Sequence, residues 1–105
     1  MIDGYLLNMR VFNDVGDSEA QALEPLEEAA GVLGAWRGLD RMRDVPARGA
    51  MRGGLIDGCV GTVQAVANLL AAVGATQGEV DAAIRRRDSA AMSLGRCEPG
   101  GAGHE

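Results

Sequence analysis

Between Ile56 and Ile84 apolar side chains recur at alternating steps of three and four residues: Ile56, Cys59, Val63, Val66, Leu70, Val73, Gln77, Val80 and Ile84. Eight of these nine positions are apolar, and Gln77 is the departure. Three-four spacing keeps one stripe of a helix turned towards a partner helix. A strand does not account for it, because period-two alternation would set Gly58, Val60 and Thr62 on a face of their own. The pattern predicts one long helix, starting between Ala47 and Leu55 and running to about Met92, whose seam packs against other helices.

A second helix precedes it. From Glu19 to about Arg43 the expected seam is Leu23, Leu26, Ala30, Leu33 and Trp36 or Arg37. Ser18 and Gln21 have capping-box spacing. Pro25 either starts a fresh helix in its first turn or kinks a continuous one. Glu24, Glu27 and Glu28 gather near one end, and Arg37, Arg41 and Arg43 near the other. That layout complements a helix dipole running from about residue 24 to residue 43. Asp44-Val45-Pro46 then stops the helix, because a residue before proline is pushed out of helical geometry. The expected fold class is all-α: an antiparallel helical hairpin over residues 17–93, turning near 44–47 and pairing into a four-helix bundle. Residues 1–16, with Ile2, Tyr5, Leu6, Met9 and Phe12, fit a short amphipathic helix, although Tyr5 to Phe12 also reads as a short strand. Residues 94–105, with Gly95, Pro99, Gly100, Gly101 and Gly103, form an expected flexible tail.

The hairpin is rich in glycine: Gly31 and Gly34 in the first helix, and Gly58, Gly61 and Gly74 in the second. Each costs about 1 kcal/mol against alanine in a helix interior. Bare backbone is tolerable where it lets two helices approach closely. Helices of this kind depend on tertiary packing, which argues for a partner or a self-partner.

Composition narrows the functional classes. The net charge of −5 over 105 residues argues against a nonspecific nucleic-acid binder. The acids concentrate in residues 1–45, which hold nine against four arginines, while residues 46–105 hold six of each. The three aromatic residues, Tyr5, Phe12 and Trp36, leave a core to be built from Leu, Val, Ile and Ala, which suits thin helix-helix seams. Cys59 lies on the seam and reads as a small buried hydrophobe, and with Cys97 in the Gly-rich tail a disulfide framework is not expected. Asp3 stands where a basic leader region would be, and no small-residue cleavage site follows an apolar run, so a cleaved signal peptide is not expected. The uncharged run from Cys59 to Gly78 approaches the length of a membrane span, but Gln64, Asn68 and Gln77 interrupt it and argue against that reading.

No catalytic, cofactor-binding or metal-binding residue is expected. His104, the single histidine, has no cysteine or carboxylate cluster around it. Gly49 to Gly61 lacks the lysine-serine or lysine-threonine ending of a phosphate loop, and no strand precedes it. Asp57 reads as a solvated carboxylate, or as a partner of Arg52 or Arg48. Arg85, Arg86 and Arg87 read as a solvated face, with contact to an acidic partner as the functional alternative; Glu19, Glu24, Glu27 and Glu28 would be that complementary surface on a second copy.

Trp36-Arg37-Gly38 sits between the two helix patterns. Taken bare, it reads as one large residue closing the end of a two-helix core. Together with the chain length, helicity and acidity, it resembles the WXG-type proteins of type VII (ESX) secretion systems, small helical hairpins with W-x-G at the turn. The resemblance covers roughly residues 17–95. It implies Trp36 and Gly38 as the turn motif and dimerisation into a four-helix bundle. It also implies a secretion signal after the second helix, an aromatic residue followed four positions later by an acid. Asp88 fits the acidic position, whereas Ile84 replaces the aromatic one. The expected function is thus a non-enzymatic helical interaction protein. It would act with itself or a related small helical protein, and with secretion machinery, and be either secreted without a cleaved leader or cytoplasmic. A cytosolic adaptor or immunity-type binding protein is the alternative, and a small membrane-associated protein ranks below both.

Overall fold

The computed structural model of the chain describes residues 5–13 and 18–96. The architecture is all-α: α1 (Ser18–Arg41), α2 (Val45–Ala72) and α3 (Gln77–Ser93), preceded by a small antiparallel hairpin of β1 (Tyr5–Leu6) and β2 (Met9–Arg10). Helices α1 and α2 pack antiparallel and form the main body.

Helix α1 is continuous over 24 residues and passes through Pro25. Proline has no N–H, so the carbonyl of Gln21 loses its helical donor. Glutamates from Glu24 to Glu28 thus sit in the second and third turns rather than at the start predicted from charge. The connection is short. Asp44 caps α2, its carboxylate accepting from the Ala47 N–H at 3.0 Å, and Pro46 falls in the first turn, where its missing donor costs nothing. Val45-Pro46 therefore opens a helix instead of standing in a linker. Arg48 reaches back to the end of α1, its guanidinium donating to the carbonyls of Leu39 (2.7 Å) and Met42 (3.2 Å).

The predicted single helix from residue 56 to residue 84 is two helices. Gly74, at φ +79°, ends α2 in a Schellman motif: Ala75 N–H donates to Leu70 O and Gly74 N–H to Ala71 O. Thr76 then starts α3 with a complete capping box, its hydroxyl accepting from Glu79 N–H while the Glu79 carboxylate accepts from Thr76 N–H. The heptad register runs on through Val73 and Gln77, but the backbone does not.

The N-terminal segment is a β-hairpin, not the short helix expected there. Leu7 and Asn8 both have positive φ, 54° and 63°, as a type I′ turn requires. Its anchor is polar. Asn68, 6% exposed, accepts from the Phe12 N–H at 3.1 Å and from the Gln64 amide at 3.0 Å, and that same amide donates to Arg10 O at 2.8 Å. These long-range partners decide the segment's conformation, and a local reading of residues 1–16 does not contain them. Residues 1–4 and 14–17, and the expected tail from residue 97 with Cys97 and His104, lie outside the described residues. So does the Ser18 side chain, on which the expected capping box rests.

Few of the described residues are deeply buried. A cluster of Leu6, Val11, Ala67 and Val80, with Leu7, Met9, Leu70 and Ala71 around it, joins the β-hairpin, α2 and the first turn of α3. Beyond that turn, residues 85–90 are exposed without interruption. The radius of gyration is 16.5 Å, against about 13 Å for a compact domain of this length.

Candidate interaction face

The faces that α1 and α2 turn to each other are not the predicted seams. Along α1 the half-buried or buried positions are Gln21, Pro25, Glu28, Val32, Ala35, Gly38 and Leu39, and all but Gly38 form, with Met42 just past the helix end, a strict heptad stripe. Along α2 they include Met51, Leu55, Gly58, Thr62, Ala65 and Leu69. Three glycines lie along the contact. A Cβ on Gly58 would stand 3.4 Å from Val32 Cγ2, one on Gly61 2.7 Å from Glu28 Oε1, and one on Gly38 3.9 Å from Met51. Gly58 thus packs on Val32 with room for a methyl group in ordinary contact, and Gly61 takes the far end of the Glu28 side chain. A Cβ on Gly31 or Gly34 would meet nothing within 4 Å, so these two serve no such contact.

The apolar residues that periodicity singled out lie outside this contact. In α1, Leu23 (55%), Leu26 (70%), Leu33 (48%) and Trp36 (50%) are exposed. In α2, Ile56, Cys59 and Val63 are exposed, Val66 is half-buried, and Leu70 borders the β-hairpin cluster. Val73 is exposed in the helix break, Val80 is buried in the cluster, and Ile84 is exposed on α3. Cys59 is therefore a surface thiol rather than a buried hydrophobe.

Two of these stripes share one side of the hairpin. Ala22, Leu26, Ala29, Leu33 and Trp36 follow four-three-four-three steps on α1, and all are exposed. Ile56, Cys59, Val63 and Val66 follow three-four-three steps on α2. Ala29 and Cys59 line one shallow groove of about 200 Å³ with Val32 and Thr62, which places both stripes on the same face. The β-hairpin occupies a third stripe of α2, through Gln64, Ala67 and Asn68. By length and composition alone α2 is long and apolar enough to cross a membrane, its most apolar 18-residue window having a mean hydropathy of 1.5 with 17% of it buried.

Trp36-Arg37-Gly38 lies within the last two turns of α1, ahead of the connection at residues 42–44. Gly38 faces α2 and Trp36 belongs to the uncovered stripe. Ile84 and Asp88 are one helical turn apart, both exposed, on the projecting part of α3. Arg85, Arg86 and Arg87 are exposed in the middle of α3 rather than at its end. Arg48 is committed to the α1 carbonyls, and Asp57 is exposed.

Missed by periodicity were Ala22 and Ala29, two small residues in a stripe whose leucines could be assigned to either of two overlapping seams. Among the described residues no group of three or more His, Cys, Asp or Glu side chains is placed to hold a metal ion.

The geometry defines a three-helix protein whose α1–α2 hairpin carries an uncovered apolar face. Comparison with family models, with characterised proteins and with solved structures finds no match.

Proposed function

We propose that this chain is a non-enzymatic helical interaction protein that pairs through heptad-spaced apolar stripes, as the type VII secretion substrates and their partners that it resembles do. The observation that supports this reading is the uncovered face itself: Leu26, Leu33 and Trp36 beside Ile56, Cys59 and Val63, all exposed on one side of two packed helices. Contiguous apolar surface of this kind marks an interaction site. In the secretion reading, Trp36 and Gly38 are the hairpin motif and Ile84 with Asp88 the export signal, displayed on the exposed part of α3.

The test is fractionation of the native host into culture filtrate, cytosol and membrane, with an antibody to this chain. Uncleaved chain in the filtrate without lysis is expected, and Asp88→Ala should hold it in the cells. Confinement of the wild type to the cytosol would overturn export and leave the adaptor reading. One observation favours a membrane-associated reading: the length and hydropathy of Val45–Ala72. Carbonate-resistant pelleting would establish that reading in place of the first.

A further inference from the structure

The heptad seam that periodicity picks out is cut in two by the fold. Ile56, Cys59 and Val63 on α2, Val73 in the break and Ile84 on α3 are exposed. Leu70 and Val80 belong to the same seam but are drawn into the cluster under the β-hairpin, with Leu6, Val11 and Ala67. The register is unbroken across the connection, since Leu70, Val73, Gln77, Val80 and Ile84 keep their three-four steps. A straight helix over residues 45–93 would be about 73 Å long. The longest extent of the molecule is 45 Å, so α3 turns sharply away from α2. Little holds it there. The backbone of α3 approaches β1 and neither of the other helices, and Val80 is its one buried residue. The β-hairpin itself is slight. Each strand has two residues, and the turn sets Leu7 at φ 54°, where a side chain with a Cβ is strained. Its polar anchor is a pair of side-chain amides, Gln64 and Asn68.

We infer that the β-hairpin is a strap that keeps α2 and α3 bent and so withholds part of the seam. With the strap off Val80, the cluster that stabilises the bend is gone. Residues 73–77 then close the helical hydrogen bonds that the Gly74 turn and the Thr76 cap replace, and α2 and α3 become one helix. That helix carries Ile56, Cys59, Val63, Val66, Leu70, Val73, Val80 and Ile84 along one stripe. The uncovered side of α2 is thereby extended past residue 72 by about three helical turns. The two forms exchange comparable interactions. The bent form has the cluster, the Schellman turn and the capping box, and it carries the strain at Leu7. The straight form has an unbroken hydrogen-bond ladder and no strained turn to hold. Two packings so balanced make a switch that a small local change can throw. The inference deepens the helix-pairing reading, on which the use of the seam rests, by giving that seam a closed state. The bend itself is measured on the chain alone, so the two fail separately.

The test uses the full chain with spin labels at Asp57→Cys on α2 and Ser89→Cys on α3, in a Cys59→Ser, Cys97→Ser background. Dilution with unlabelled chain ensures that only distances within one copy are read. A continuous helix separates the two sites by about 48 Å, and the intact strap should hold them well short of that. Leu6→Asp puts a carboxylate into the cluster and lifts the strap without altering α2 or α3. Leu6→Ala loosens it more gently and decides the matter alone if Leu6→Asp unfolds. Slow amide exchange over α1–α2 establishes that each variant keeps the helical hairpin. The distance near 48 Å should become the main one in Leu6→Asp and be intermediate in Leu6→Ala, with backbone shifts of residues 73–77 turning helical in step. A distance already near 48 Å with Leu6 in place would overturn the strap. A short distance kept in every folded Leu6 variant would overturn it too, as would a broad spread of distances, in which α3 swings free instead of continuing α2. Straightening without tighter self-association in sedimentation velocity would uphold the strap and count against self-pairing as the use of the seam.

Discussion

Glu28 of α1 lies directly against Gly61 of α2, its Oε1 2.7 Å from where a Cβ on residue 61 would sit. A methyl group at that point collides with the far end of a flexible side chain and not with backbone. Gly61→Ala should therefore swing the carboxylate aside. The variant gains up to about 1 kcal/mol of helix propensity, and the net change in urea unfolding should be small and stabilising. Gly61→Leu has no such outlet and should lose roughly 1–3 kcal/mol by forcing the helices apart. A large loss from the alanine variant alone would show that Glu28 is pinned in place.

Gly31 and Gly34 make no close approach, since nothing lies within 4 Å of a Cβ at either. Replacing both with alanine should raise stability by about 1 kcal/mol per site. Thermal unfolding of the double variant checks this, and a lower midpoint would mean that the bare backbone at these positions is used.

Asn68 fastens the β-hairpin to α2 through Phe12 N–H and the Gln64 amide. Asn68→Leu keeps the branching of the side chain in a larger volume but removes the acceptor, leaving the Phe12 N–H without its partner at a cost of about 1–3 kcal/mol. Amide exchange is the sharper readout. Protection at Phe12 and across the β1–β2 pair should fall, while the α1–α2 interface keeps its own. Unchanged exchange at Phe12 would show that apolar contacts of Leu6 and Val11 suffice to hold the segment.

The break between α2 and α3 depends on two local devices. Gly74 holds φ +79°, where an alanine costs roughly 1–2 kcal/mol. Thr76 supplies the cap, and its loss to alanine costs about 1 kcal/mol. Gly74→Ala with Thr76→Ala should thus favour a straight, continuous helix through the in-register seam at Val73 and Gln77. Backbone chemical shifts of residues 73–77 turning helical would show it; shifts that stay put would mean that Val80, buried in the β-hairpin cluster, fixes the bend.

Trp36 is half exposed on the uncovered stripe. Trp36→Ala should leave the unfolding free energy of the monomer within about 1 kcal/mol yet weaken pairing clearly. In the wild type its fluorescence, the signal of the single tryptophan, should shift to the red on dilution as the partner leaves. Emission independent of concentration across a dimer–monomer transition would place Trp36 outside the interface.

Much of the local structure is written in the sequence. Helical period, the stop before α2 at Asp44, and the amphipathic stripes follow from residue order, because capping and periodicity act within a few residues of themselves. The break at Gly74 was legible too, as a glycine followed by Thr-x-x-Glu, but a seam that stays in heptad register across it outweighs a two-residue signal. What residue order did not determine is which stripe faces which helix. The α1–α2 contact runs over Glu28, Val32, Gly58 and Gly61, a mix of polar, apolar and glycine positions with little apolar periodicity, while Leu23, Leu26 and Leu33 remain exposed. The β-hairpin is the other tertiary decision: Asn68 and Gln64 satisfy its backbone from more than fifty residues away, and no local preference of residues 5–12 encodes those partners.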